Sequence, residues 1–331
     1  MESYEFLLFL AIILFATKIC GLFSRKFHMP QVVGALLAGV ILGPSVLNLI
    51  SFDGATGSYL EITAEIGVIL LMFSAGLETD LTELKENGVA SFITAGIGVL
   101  VPLLGGFLSY AIYFHTDFGD FMEVLKAVFV GVVLTATSVS ITVETLRELG
   151  KLKGRVGTTI LGAAVIDDIM GIIVLTVVTS IEDTSVNPLT VLLKIVLYFI
   201  VIAIVAFVMF KCKKLIEGAG EKRRVTIFAI AFCFLLSYVS EQFFGIADIT
   251  GAYFAGLMLC NMKIGDYIKA RAEVPSYLLF SPVFFASIGI KTQLEGMNGK
   301  LIGFCVILLV VAILTKVVGC GLGAKICRYS N

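Results

Sequence analysis

Apolar residues in this chain come in long unbroken runs, without the period-two alternation of strands or the narrow stripe of a surface helix. Eleven runs stand out, near residues 5–23, 31–50, 61–80, 89–112, 124–146, 156–180, 189–210, 225–243, 245–262, 274–290 and 301–324. A bilayer core about 30 Å thick takes about 20 apolar residues as one helix, and each run is near that length. The pattern predicts an all-α integral membrane protein with about 11 transmembrane helices. A β-barrel is excluded, because its strands alternate over segments of about ten residues. The connectors are short, so successive helices run antiparallel and residues 1–331 read as a single transmembrane domain.

Composition agrees with this. Of 331 residues, 58% are hydrophobic and 15% charged, and the mean hydropathy is +1.03. Soluble domains are about 45–50% apolar and about 25% charged. The net charge of −1 gives no basic footprint for nucleic acid, so the bilayer is the expected environment and nucleic acid is not a partner. Two His and seven scattered Cys leave no zinc, haem or disulfide spacing, and no cofactor is expected. Basic residues set the direction. Loops after the odd-numbered runs hold 18 of the 24 Lys and Arg, the other side holds Lys126, Lys291 and Lys300, and Lys18, Lys194 and Lys316 lie inside runs. By the positive-inside rule the N-terminus is outside, in a prokaryotic cytoplasmic membrane.

Two motifs recur. Gly34-Ala35-Leu36-Leu37-Ala38-Gly39 in the second run returns as Gly251-Ala252-Tyr253-Phe254-Ala255-Gly256 in the ninth, and Gly76-Leu77-Glu78-Thr79-Asp80-Leu81 after the third returns as Gly289-Ile290-Lys291-Thr292-Gln293-Leu294 after the tenth. An odd number of runs separates the copies, so they point in opposite directions. Inverted repeats of this kind mark secondary transporters, which bind substrate near the midplane between the copies. The first repeat is residues 1–180 (runs 1–6), a linker helix is 189–210, and 225–331 (runs 8–11) is an incomplete second repeat. The counterparts of runs 5 and 6 are missing, which reads as C-terminal truncation.

Ionisable groups at mid-membrane cost roughly 2.5–3.5 kcal/mol or more on insertion scales. Lys18 and Lys194 lie near enough to run ends to snorkel, and Glu65, Glu144, Glu241 and Asp248 read as solvated ends, with Glu144 at the cytoplasmic mouth. Three features do not reduce this way. Asp167-Asp168 lie about half way through the sixth run. Neighbouring helical residues point about 100° apart, so one carboxylate faces a cation path while the other faces a helix partner. Lys316 in run 11 lies at a similar depth, where an ion pair with Asp167 neutralises both. Thr135-Ala136-Thr137-Ser138-Val139-Ser140-Ile141-Thr142 in run 5 is rich in weak helix formers. A local break there frees carbonyl oxygens, tolerated only along a cavity, and with Thr137 and Ser138 they are oxygen ligands suited to a hard cation.

These residues resemble the bacterial sodium/proton antiporters of the monovalent cation:proton antiporter-2 superfamily. The match runs from Gly34 through Gly43-Pro44-Ser45, Phe73-Ser74-Ala75-Gly76-Leu77-Glu78, Ala136-Thr137-Ser138-Val139-Ser140, Asp167-Asp168 and Gly251–Gly256 to Lys316. The resemblance implies an inverted-repeat antiporter fold of 13 helices, with a panel-like dimerisation domain and a six-helix core in which two broken helices cross. It implies a homodimer, Asp168 as the carboxylate that binds Na+ and H+ in turn, Asp167 paired with Lys316, and Thr137 and Ser138 at the break. The function expected is exchange of Na+ (or Li+ or K+) for H+ by alternating access, in pH homeostasis, with Na+ and H+ as substrates and no enzymatic step. The alternatives are a sodium-coupled symporter of an organic solute on the same fold, or a K+/H+ efflux antiporter. An intramembrane aspartyl protease is disfavoured, because its two Asp come from different helices to share a proton.

Overall fold

The α-helices among the described residues are α1 (Glu2–Lys26), α2 (Gln31–Leu42), α3 (Gly54–Glu78), α4 (Leu81–Phe114), α5 (Phe121–Thr135), α6 (Val139–Glu148), α7 (Arg155–Glu182), α8 (Pro188–Gly218), α9 (Arg223–Val239), α10 (Asp248–Leu259), α11 (Gly265–Pro275), α12 (Ser281–Ile290) and α13 (Gly299–Ile326). This computed structural model describes residues 2–52, 54–182, 187–218, 220–294 and 298–327. Arg328 and the last residues of the second repeat, 329–331, lie outside the described residues. Among those described there is no strand, and nine helical stretches are long and apolar enough to cross a membrane. The chain is a multi-pass membrane protein with an all-helical fold.

Every predicted run coincides with a helix, with three differences in detail. Runs 31–50 and 245–262 are helical over only 12 residues each, α2 and α10, which at 1.5 Å per residue is about 18 Å. α2 stops where Gly43-Pro44 follows Leu42, since the residue before a proline is pushed out of the α region. Run 124–146 is two helices, because residues 136–138 are not helical. Run 274–290 begins earlier, at Gly265, and passes through a π-helical turn, Ser276–Phe280, after Pro275.

The chain forms two compact units. The first comprises Met1–Leu81, Ser140–Lys153 and Ile200–Glu295. Its core gathers Ile13, Leu42, Ile50, Leu60, Val283 and Ile290. Its tightest contacts lie at the recurring motifs: Gly39 of α2 meets the backbone of Ala286 and Gly289 of α12, and Gly76 of α3 meets Tyr253 and Gly256 of α10. A motif of one copy thus packs on a motif of the other, twice. Glycine allows backbones to approach this closely, as lipid-embedded helices require for van der Waals association. Beyond these, Gly34 abuts Cys20 of α1, and Gly251 abuts Leu236 of α9.

The second unit comprises Thr82–Val139, Gly154–Phe199 and Gly296–Asn331. Here α4 is central: Gly106 meets Gly131 of α5, Ser91 meets Gly162 of α7, and Thr94 meets Gly323 of α13. Leu125, Val132 and Val178 bury the α5–α7 seam.

Replacing Gly76 with Val should force α3 and α10 apart. Overpacking a filled site costs about 1–3 kcal/mol, so thermal unfolding of the purified protein in detergent should fall by several degrees. Gly96→Ala in α4, where an added Cβ meets nothing within 4 Å, should leave the unfolding temperature unchanged or raised.

Candidate functional site

The predicted site residues all fall in the second unit. α5 ends at Thr135, and its C-cap Ala136 is extended (φ −63°, ψ 129°). A helix end leaves its last carbonyls without intrahelical donors. The Thr135 hydroxyl donates to Val132 O at 2.7 Å, and the Thr137 hydroxyl lies 3.4 Å from Thr135 O. The remaining terminal carbonyls of α5 gain no helical donor, because the chain turns away through Ala136, Thr137 and Ser138. The sequence cause is the density of β-branched and hydroxyl residues there, which offer the backbone alternative hydrogen bonds. Thr137 is half-buried and Ser138 exposed.

Asp167 and Asp168 stand near the middle of α7. Asp167 is only 7% exposed. The ammonium of Lys316, on α13, donates to its Oδ2 at 3.1 Å and lies 3.4 Å from Oδ1, and the Thr137 side chain is within hydrogen-bonding reach of the same carboxylate. One acid of the pair therefore has two partners from two other segments. Its neighbour differs: Asp168 is half-buried, and among the described residues it accepts no hydrogen bond and forms no ion pair. The structure thus brings Asp167, Lys316 and Thr137 together and leaves the Asp168 carboxylate available. What such an arrangement can do is bind a monovalent cation or a proton at Asp168, with oxygen ligands nearby at the helix break. Ser138 is at the break too.

The orientation of α7 depends on groups that sequence reading passed over. The Arg155 Nε donates to Asn87 Oδ1 at 3.1 Å, and the Ser91 hydroxyl donates to Thr159 O at 3.2 Å. Both tie α7 to α4 near the start of α7. Their sequence signal was weak, since an Arg at a helix start and an Asn in a long apolar run each look incidental alone.

Glu144 departs from expectation. Predicted as a solvated end, it is 4% exposed, because Arg147 lies 3.4 Å away and itself contacts Glu78, which Lys269 holds at 3.2 Å. Two carboxylates and two cations compensate one another inside the first unit. Arg147 and Lys269, counted above as loop charges, are drawn inward by partners far away in sequence. Lys18, Lys194, Glu65 and Glu241 are exposed.

Comparison with known proteins places this geometry. Residues 10–331 match the family model described as "Sodium/hydrogen exchanger, transmembrane". The chain is 39% identical over 323 residues to the probable Na(+)/H(+) antiporter GerT of Bacillus cereus, with 97% of this chain and 83% of that one covered. It is also 39% identical over 329 residues to the Na(+)/H(+)-K(+) antiporter GerN of the same organism, covering 99% and 82%. Among solved structures, the sodium proton antiporter MjNhaP1 from Methanocaldococcus jannaschii superposes with a TM-score of 0.70 at 21% identity, covering 100% of this chain and 80% of that one. That likeness concerns the fold.

Removing one partner of a buried ion pair costs more than removing both, because it strands a charge. Lys316→Met should therefore lower the stability of the solubilised protein by up to about 3 kcal/mol, read as a fall in unfolding temperature. Adding Asp167→Asn to it should recover part of the loss. An additive double variant would mean that the two side chains do not interact.

Proposed function

The chain belongs to the sodium/hydrogen exchanger family, and on that premise we propose that it exchanges Na+ for H+ across the membrane, the two ions competing for the carboxylate of Asp168. The observation that carries this reading is the unequal treatment of two adjacent acids. Asp167 is held by Lys316, while Asp168 accepts no hydrogen bond and forms no ion pair among the described residues. Protonation removes the charge that makes Asp168 a ligand, so one carboxylate holds either a proton or a cation. Together with alternating access, that exclusivity is sufficient for obligatory exchange. The matched relatives are named as antiporters, which supports exchange, does not favour symport, and points to a transporter and not an enzyme. K+ belongs within the substrate range by the name of GerN, and Li+ by its similar charge.

Thr137 and Ser138 supply hydroxyl and carbonyl oxygens to the cation. The Lys316–Asp167 pair offers a second proton step: Lys316 gives up its proton as Na+ enters and regains it on release. Two protons then exchange per sodium ion, and each net charge moved is driven by about 2.3 kcal/mol per 100 mV. The reciprocal glycine contacts, Gly39 with Gly289 and Gly76 with Gly256, support residues 1–180 and 225–331 as two copies of one inverted repeat. The basic loops support a cytoplasmic membrane with the N-terminus outside, and the family resemblance supports a homodimer.

Asp168→Asn should abolish Na+-dependent proton movement in proteoliposomes, measured with a pH-sensitive dye. Normal exchange by that variant would remove the proposed site. Competition also sets a pH dependence: protons occupy the same carboxylate, so acidification raises the Na+ concentration needed for half-maximal rate, approaching about tenfold per pH unit once the protonated form dominates. A half-saturation value independent of pH would contradict a shared site. Lys316→Gln should retain exchange and lose its sensitivity to membrane voltage, as read by current on a supported membrane.

A further inference from the structure

A separate cavity lies wholly within the first unit. It measures about 280 Å³ and is lined by Lys18 of α1, Gln31 of α2, Glu144 and Glu148 of α6, and Tyr277 and Phe285 from the π turn and α12. At ~30 Å³ per water that is room for a group the size of about nine waters. No residue of the Asp167–Asp168 site contributes to it.

Its walls carry charges of both signs that do not cancel at bonding distance. Lys18 is exposed, and among the described residues it forms no ion pair or hydrogen bond. Glu148 accepts the backbone N–H of Gln31 at 2.7 Å, which occupies one carboxylate oxygen. Glu144 has Arg147 at 3.4 Å on one oxygen, and its other oxygen forms no hydrogen bond or ion pair among the described residues. The backbone on the remaining wall is irregular: the π turn Ser276–Phe280 follows Pro275. Such turns recur at functional sites, and irregular backbone in a membrane is tolerated where it lines a cavity.

The mouth of the cavity faces apolar surroundings. Leu278, on its rim, is 66% exposed, and Phe15 and Ile19, beside Lys18 on α1, are 72% and 65% exposed. In a multi-pass membrane protein those surfaces meet lipid. An occupant must therefore present an anion to Lys18 and a cation to the carboxylates, and must continue into acyl chains. A simple anion satisfies only Lys18, and an organic cation only the glutamates. An N–H-bearing ammonium suits glutamate oxygens, because it can donate hydrogen bonds that a trimethylated ammonium cannot.

We propose that this cavity binds a phospholipid with an ethanolamine headgroup, its phosphate on Lys18 and its ammonium on Glu148 and Glu144. The site is independent of the ion-exchange reading.

The test is native mass spectrometry of the delipidated full chain in detergent, titrated with phosphatidylethanolamine, phosphatidylcholine and phosphatidylglycerol of identical acyl chains. Phosphatidylethanolamine should bind about tenfold more tightly than either other lipid, the weight of one charged contact. Lys18→Gln should weaken the binding of all three lipids about tenfold, since each presents a phosphate to that ammonium. Glu148→Gln keeps an oxygen for the Gln31 N–H, and should narrow the gap between the ethanolamine and choline lipids. Lys18 is exposed, so its variant folds and decides the matter even should Glu148→Gln fail to fold. Equal binding of the three lipids, or Lys18→Gln binding as the parent does, overturns the proposal. Soluble phosphoethanolamine competing as strongly as the lipid would show a headgroup-only site, and would overturn it as well.

Discussion

A carboxylate in the middle of a membrane needs a partner or a purpose, and α7 carries two side by side. The ion pair between Asp167 and Lys316 meets that need for one of them, at 3.1 Å and nearly sealed from the surroundings. It also couples α7 to α13, two helices with long stretches of sequence between them. Because the pair is satisfied internally, the proposed exchange assigns the ion from outside the protein to the remaining acid. Adjacent residues on one helix thereby acquire different chemistry from orientation alone.

The helix break supports the same division. An intact α5–α6 helix would use every backbone carbonyl within itself and leave a cation only side chains to bind. Interrupting it at Ala136, Thr137 and Ser138 leaves the last carbonyls of α5 outside the helical ladder without adding negative charge. Hard cations favour oxygen ligands of this kind, and a membrane tolerates the break only where it faces a cavity. Sodium binding as proposed draws on the carboxylate for charge and on the break for coordination.

Close helix approach is a second constraint, and glycine placement answers it. Gly39 against Gly289 and Gly76 against Gly256 bring four helices of the first unit together at backbone distance. No hydrophobic effect drives helices together inside lipid, so tight van der Waals contact must do so. The recurring motifs pack on one another because each presents glycines where two helix backbones meet. The buried network of Glu78, Glu144, Arg147 and Lys269 holds α3, α6 and α11 of that unit by electrostatics instead.

Unbroken apolar runs, sparse charge and their positions sufficed to determine the membrane class, the helices and the candidate acids, since lipid permits few backbone solutions and makes each buried charge conspicuous. The depth of Lys316 along its run even pointed to Asp167, because helical rise converts residue count into height. Only the tertiary structure decided that α2 and α10 stop at 12 residues and that Arg147 and Lys269 are drawn onto Glu144 and Glu78. It alone showed that Glu144 is buried. Those outcomes depend on which side chains from distant segments arrive at the same place, and a one-dimensional pattern records height along a helix but not the direction in which a side chain meets its neighbours.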